Sequence, residues 1–520
     1  MSRLQGPAGG PGGLHPGPAR PGAAALLRRH IKRGGWTMER YDVAVLGGGL
    51  LGCFMARELR RHPLKVALVE AREDVCTGIS RANTAIVYTG CDTKPGTLKT
   101  RLCVAACKGF GDLCRELGVP FARRGSLMVS YGPNADQTLQ RKMIQGMENG
   151  VEGLKLMSGR AALEWEPGLA PGVSSALYAP DTGVTDPWAL CYAAWENALA
   201  NGVTPWLNAP VTDLLPEHGG WRVVTLRGEL WAAAVVNCCG LHADQVQELA
   251  APPTVRITPE KADYLILDQG AGHYVNHVIF HEPEEKGKGL TMVPTLDGKL
   301  LLGPSEQPGV GPLSATTRAG LDRLRQLAAQ VAPELDLELT IRSFAGVRPK
   351  PYNVVRAQSI HDFTVTNPAR GLWSLIGIKT PGLTCAQALG AWLAPQVADQ
   401  LGKGELDPTF RPEQKAPVRP RELTREARAA LAARDPAYGR ILCRCGGITE
   451  GEVRDAIRRG AVTLDGVKRR TGAGLGRCQG AFCGDRIMAL MARMLGVPPE
   501  DLQKDGPGSR LLTGGRHGEG

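Results

Sequence analysis

Residues 41–70 read YDVAVLGGGLLGCFMARELRRHPLKVALVE, and their pattern decides the fold. An apolar strand from Asp42 to Leu46 runs into Gly47-Gly48-Gly49-Leu50-Leu51-Gly52. An amphipathic helix follows to about Arg61, then a second apolar strand, Val66 to Val69, closed by Glu70. Strand, glycine turn, helix and strand make a βαβ nucleotide-binding unit. Gly47 is expected to take the tight turn, and Gly49 to let backbone approach a pyrophosphate at the positive end of the helix. Gly52 lets helix and strand pack closely. Glu70 stands where a carboxylate accepts hydrogen bonds from a ribose diol. The spacing implies a dinucleotide and leaves open which one. No second strand, GxGxxG and helix follow one another: TGAGLGRC (471–478) comes after VKRR, which is no buried strand, so direct use of NADH through a second nucleotide fold is not expected.

The chain has 520 residues, 43% of them hydrophobic. That is enough for a large core and about two to four structural units. No apolar run reaches the roughly 18 to 20 residues that cross a bilayer, so membrane contact is expected only peripherally or through a partner. Fourteen cysteines are too dilute for a secreted disulfide scaffold, and the adjacent Cys238 and Cys239 suit thiols better than bridges. A reducing cytoplasm is the expected compartment. The net charge of +11 is confined to the ends of the chain: residues 1–38 hold six basic residues and no acids, residues 439–520 hold fourteen and nine, and the stretch between is balanced. A neutral main body argues against nucleic-acid binding, which needs a basic face on the folded core. Residues 1–38, rich in Gly and Pro, are read as a disordered tail. They are either an Arg-rich leader or sequence upstream of a true start at Met38.

Residues 401–440 carry the Pro and charge content of a linker, with one short helix near Glu422 to Arg434. A cysteine module over 441–498 and a tail over 499–520 complete the chain. In the module, Cys443 and Cys445 are separated from Cys478 and Cys483 by 32 residues that include the amphipathic helix EGEVRDAIRRG. Four thiolates in two near pairs suit two sulfide-bridged irons, each taking two thiolates. Structural zinc is the alternative, although its knuckles more usually read CxxC. Lys468, Arg469, Arg470 and Arg477 flank the ligands and are expected to offset their negative charge. Glycines 472, 474, 476 and 480 permit close backbone approach to sulfur.

Further segments carry a family resemblance: GISRANTAIVYTGCDTKPGTLKTRL (78–102), WLNAPVTDL (206–214), VVNCCGLHAD (235–244), SFAGVRPKPY (343–352) and GIKTPGLT (377–384). With the βαβ unit, they resemble the FAD-dependent oxidoreductases of the D-amino-acid-oxidase superfamily. Residues 95–129 and YAPDTGVTDP (178–187) resemble L-2-hydroxyglutarate dehydrogenases. The whole layout resembles the large subunit of anaerobic glycerol-3-phosphate dehydrogenase, and AGLGRCQGAFC (473–483) is similar to the bacterioferritin-associated-ferredoxin-like 2Fe-2S domain. The resemblance implies an α/β fold over residues 39–400, a Rossmann-like FAD-binding domain with an interleaved β-rich substrate domain, plus a small α-helical 2Fe-2S module. It implies that Ser80, Arg81 and Asn83 line the pyrophosphate and flavin ring, and that the segment carrying Val211 covers the adenine. Gly240, Gly377, Gly382 and Leu383 then close over the rest of FAD. A helix starting near Leu383 would aim its dipole at the flavin, although GIKTPGLT can equally be read as a plain connection.

The resemblance also implies hydride transfer from a carbon bearing a hydroxyl or amine to the flavin. Arg348 aligns with the arginine that clamps the substrate's carboxylate or phosphate, and could instead be a structural ion pair. Where relatives read HSG or HAG, this chain reads Tyr88-Thr89-Gly90. Tyrosine, with a pKa of about 10 against about 6.5 for histidine, is a poor proton acceptor near neutrality. His242, His273, His277 and His281 are weak candidates for the missing base. The expected reaction is FAD-dependent dehydrogenation of a small anionic alcohol, glycerol 3-phosphate or a 2-hydroxy acid. Electrons are expected to leave through the 2Fe-2S cluster to a separate acceptor, a flavoprotein or quinone-linked subunit. Amino-acid or imino-acid oxidation is the runner-up, and an electron-transfer subunit without substrate chemistry is the reading from another class.

Overall fold

A computed structural model of the protein describes residues 38–282, 289–308 and 314–512. The expected tail over residues 1–38 lies outside these apart from Met38, as do residues 513–520. Strand β1 (Glu39–Leu46) pairs in parallel with β2 (Val66–Val69) on one side and with Gly228–Asn237 on the other. Thr204–Trp206 extends the parallel set beyond β2, and Leu372–Ile376 extends it beyond Gly228–Asn237. Antiparallel additions complete an eight-stranded sheet. Alternation along β1 sends Val43 and Val45 to one core and Ala44 and Leu46 to another, as period-two geometry requires of a strand covered on both faces. Helix α1 (Leu50–Leu59) and the helices Leu98–Leu117, Pro187–Ala200 and Gly382–Gln400 cover the first face, where Phe54, Cys191 and Leu389 meet.

Gly47 turns the chain between β1 and α1 with φ +98°, in the left-handed region. At Gly52 an added Cβ would lie 1.9 Å from the Gly47 carbonyl oxygen, backbone against backbone. Neither partner can swing away, so Gly52→Ala is expected to destabilise the protein by about 3 kcal/mol. That shows as a lower urea midpoint, and an unchanged midpoint would mean that strand and helix separate freely here.

The second layer is a nine-stranded, mostly antiparallel sheet built from pieces distant in sequence, including Thr340–Asn353, Val255–Leu267, Val278–His281 and Ser126–Ser130. Helix Arg318–Val331 seals one side of it through Leu324, Leu327 and Val331. Residues 401–440 run as a strap fastened by side chains rather than by strand pairing. Asn197 donates to the carbonyls of Arg411, Pro412 and Glu413, and Arg60 pairs with Asp407. The expected helix within this stretch spans Arg425–Arg434.

Helices Glu450–Arg458, Leu464–Thr471 and Gly484–Leu495, with a two-stranded ribbon at Ile441–Cys443 and Ile448–Thr449, form the C-terminal module around Val453, Val467 and Met491. Thr449 and Glu452 close a capping box on the first of these helices. The stretch 499–512, expected as a tail, folds back onto the protein. Leu502 enters the module's core and Asp505 lies between two arginines, which fixes the segment.

Candidate active site and cluster centre

A cleft of about 1210 Å³ opens along the C-terminal ends of the parallel strands, where open α/β sheets bind ligands. One part of its wall is the glycine turn, Glu70, Arg72 and Val211. Glu70 is buried, which pushes its carboxyl up. It accepts hydrogen bonds from the N–H of Gly48 at 2.5 Å and of Arg72 at 2.9 Å. The Ser80 hydroxyl accepts the Leu50 N–H at 2.9 Å, seating the 78–84 loop on the first turn of α1. Asn83 braces that loop with both ends of its amide, donating to the Ser80 carbonyl and accepting the Ala85 N–H, each at 2.8 Å. Arg81 lines the cleft and pairs at 2.6 Å with Asp505. Gly240, Gly382 and Leu383 are also on the wall. Gly52 and Gly377 stand behind it: Gly377, with φ +70°, lies so close to Pro351 that a Cβ would meet the ring at 2.4 Å. Gly377 thus packs against Pro351.

Another part of the wall gathers Tyr88, Tyr264, Phe280, His281, Arg348, His361, Lys99 and Lys379. Arg348 projects from Thr340–Asn353, ion-paired with Glu306 and donating to the Tyr264 hydroxyl at 3.3 Å. This arginine is therefore at once part of a structural ion pair and a cation of the cleft wall. Tyr88 is held by its N–H to the Thr384 hydroxyl at 3.0 Å, and its ring stacks on Phe280. Burial raises its pKa to about 12, with Thr84 and Arg348 opposing, so the phenol stays protonated and serves as a hydrogen-bond donor. Of the four histidines named as candidate bases, His242 and His281 reach the wall. His277 binds the buried Glu166 instead, at 2.6 Å, and is structural; His273 is also off the wall.

Lys99, Lys379, His361 and Tyr264 went unrecognised in the sequence. Only Lys99 left a local signal, a cation in the first turn of Leu98–Leu117, where the helix dipole disfavours it. There Asp362 accepts the N–H groups of Leu98 and Lys99, each at 2.9 Å, while burial lowers the Lys99 pKa.

In the C-terminal module the four cysteines draw together as two crossed pairs. Cys445 and Cys478 have sulfurs 3.6 Å apart, and Cys443 contacts Cys483. N–H groups of Phe482, Gly480 and Ala481 face Cys478 and lower its pKa. Burial and Cys443 push Cys483 up to about 12. A Cβ on Gly476 would lie 2.2 Å from that of Cys445, so only glycine allows this approach.

The expected cationic collar is corrected. Arg470 turns away from the cysteines and grips Asp74 with both arms, at 2.6 and 2.8 Å, while Arg469 reaches Tyr192 and Asp505. Lys468 pairs with Asp465, and Arg477 with Asp268. The charges of Arg469, Arg470 and Arg477 are used in binding the module to the main body, because Asp74 and Asp268, 200 to 400 residues distant, come within reach in the fold, while that of Lys468 is used inside the module.

Residues 42–396 match the family described as FAD dependent oxidoreductase. The chain belongs to this family. Residues 441–493 match the BFD-like 2Fe-2S binding domain. A glycerol 3-phosphate dehydrogenase of Caloramator mitchellensis is 38% identical over 479 residues, covering 91% of this chain and 98% of its own. The mitochondrial L-2-hydroxyglutarate dehydrogenase of Homo sapiens is 28% identical over 52% of this chain and 61% of its own. The FAD-bound, dithionite-reduced L-alpha-glycerophosphate oxidase of Mycoplasma pneumoniae superposes with a TM-score of 0.68 at 26% identity, covering 74% of this chain and all of that one.

This oxidoreductase uses FAD and a 2Fe-2S cluster, and its residues fit both. The cleft exceeds the roughly 300 to 1,000 Å³ of ordinary small-ligand pockets. Next to it, a Cβ on Gly49 would meet only the Ser80 hydroxyl, at 3.1 Å, leaving the helix N-terminus approachable. For the cluster, four cysteines in two pairs are a matching donor set, with glycine where backbone must come close. Among the described residues no helix is long and apolar enough to cross a membrane.

Proposed function

We propose that the protein oxidises glycerol 3-phosphate at its secondary hydroxyl and hands the electrons, through its cluster, to a separate acceptor protein. The observation that carries the substrate is the 38% identity to a glycerol 3-phosphate dehydrogenase over 98% of that relative's length. The cleft adds a chemical reason: Arg348, Lys99 and Lys379 put three cationic side chains on the wall, which suits a phosphate dianion better than a neutral or zwitterionic substrate. Bound FAD supplies a two-electron acceptor, and the cluster passes electrons singly.

In this reading Arg348 binds the anion and the Tyr88 phenol donates a hydrogen bond to the reacting oxygen. Oxidation removes a hydride from carbon and a proton from that oxygen. Tyr88 cannot take the proton while its own remains bound; His242, His281 and His361 are the wall residues of a type that can accept one. Oxidation of L-2-hydroxyglutarate is the second reading, favoured by the hydroxyglutarate dehydrogenase relatives, whose match spans about half of this chain.

Anaerobic mixing of the holoprotein with each compound tests the choice. Glycerol 3-phosphate is expected to bleach the flavin near 450 nm, a position set by the flavin itself, and L-2-hydroxyglutarate to leave it oxidised. The reverse result would transfer the assignment to the hydroxy acid. Bleaching by neither, in protein shown to hold FAD and iron, would favour an amino-acid substrate or a pure electron-transfer subunit.

A further inference from the structure

The C-terminal turn lies directly against the cofactor loop of the main domain. Gln503 bridges Arg510, the Lys504 N–H donates to the Ser509 carbonyl at 2.8 Å, and the Asp505 N–H donates to the Ser509 hydroxyl at 2.9 Å. These bonds make residues 503–510 a closed turn rather than a trailing end. Asp505 accepts from Arg81 at 2.6 Å through one carboxylate oxygen and from Arg469 at 3.0 Å through the other. Gly506 lies so close to Arg72 that a Cβ would fall 1.9 Å from its guanidinium. Arg72 and Arg81 both line the large cleft, so the turn touches its wall twice from outside.

Behind this contact lies a buried ionic anchor. Asp74 follows the same cofactor loop and receives both arms of Arg470, the Tyr192 hydroxyl at 3.1 Å and Arg469 at 3.6 Å. The side chains of Asp74, Arg469 and Arg470 are at most 3% exposed. Charges so deeply buried tolerate no loss of partner, so the module is fixed to the domain rather than swinging from the strap. Arg81 differs from them. Its side chain is 34% exposed, and its ion pair is with Asp505.

We propose that Asp505 is a positioning residue of the flavin site: it fixes Arg81 in the cleft wall, so that FAD affinity depends on the C-terminal turn being docked. This rests on the cleft being where FAD binds and on Arg81 touching it. Two opposed effects follow from removing the carboxylate. Arg81 loses a neutralising partner, which alone would favour an anionic cofactor, but it also loses its orientation and faces Arg469 unshielded. Orientation dominates for a part-exposed guanidinium, whose bulk electrostatic gain is weakened by water.

The test is titration of deflavinated protein with FAD, read by quenching of flavin fluorescence, for Asp505→Asn, Arg81→Gln, the double variant and Asp505→Glu. Thermal unfolding of each apoprotein reports its folding. Asp505→Asn and Arg81→Gln are each expected to weaken FAD binding about tenfold. The double variant should be no weaker than either single one, and Asp505→Glu should stay within about threefold of the parent. Additive losses, or unchanged binding in Asp505→Asn when Arg81→Gln is weakened, would overturn the proposal. Tighter binding in Asp505→Asn would overturn it too, by showing that the carboxylate only screens Arg81. An unaffected Arg81→Gln protein would strike instead at the placement of Arg81 in the cofactor site.

Discussion

Replacing Cys478 by serine is expected to remove the cluster while leaving the flavin half of the protein working. A 2Fe-2S centre held by four cysteines takes anionic sulfur from each of them. Cys478 is the thiol best prepared to be anionic, with the N–H groups of Phe482, Gly480 and Ala481 directed at it. A serine hydroxyl at the same place keeps its proton near neutrality and offers iron a weak ligand. Iron content and the visible cluster absorption should fall nearly to zero, and delivery of electrons to a one-electron acceptor should drop on the order of 100-fold. Bleaching of the flavin by substrate should persist, because Cys478 is not among the residues that line the cleft. Serine in place of Cys53, a buried thiol 3.8 Å from Cys191 in the main core, is the control and should leave iron unchanged. Full iron retention in Cys478→Ser would remove this cysteine from the ligand set, and zinc in place of iron in the parent would end the redox reading.

The βαβ unit was legible in the sequence because everything it needs is local. Three glycines, two apolar strands and an acid within thirty residues each answer to a short-range constraint, and Gly47 and Gly52 meet theirs through φ and contact distance. The cysteine module was legible for a similar reason, since ligand demand and glycine spacing are written side by side. What escaped depends on partners distant along the chain. Arg469 and Arg470 are neighbours of the cysteines in sequence, yet the helix Leu464–Thr471 points them at Asp74, nearly four hundred residues earlier. The segment after Pro498 has the composition of a tail, and only the arginines it meets give Asp505 a fixed place. The cationic wall is likewise assembled from three separate stretches, around 99, 348 and 379, and although each carries part of the family resemblance, nothing local tells that their cations converge. Arg348 itself was found by resemblance, and its ion pair with Glu306 could not be, because the two stand on strands that flank Val255–Leu267 from opposite sides in the nine-stranded sheet.

That ion pair makes the second large prediction two-sided. Arg348→Leu removes a buried, forked cation, and with it two charge-assisted hydrogen bonds to a phosphate or carboxylate. The loss in kcat/KM should be roughly 10³-fold, about 4 kcal/mol. Most of it should fall on KM if the anion is held equally in ground and transition states, whereas an equal fall in kcat would show that Arg348 also steadies the reacting carbon. Arg348→Lys keeps the charge but not the fork, and should recover part of the loss. Glu306→Gln acts in the opposite direction. In the resting protein the Glu306 carboxylate competes with substrate for the same guanidinium. Neutralising it should lower KM for glycerol 3-phosphate severalfold, at some cost in stability, because the part-buried Arg348 then loses the carboxylate that balances its charge when substrate is absent. FAD affinity should be unchanged in all three variants. If Arg348→Leu lowers thermal stability but leaves KM alone, the arginine is a strut between two strands and the anion is bound by Lys99 and Lys379. If KM rises in Arg348→Leu and falls in Glu306→Gln, the pair is a latch that substrate opens.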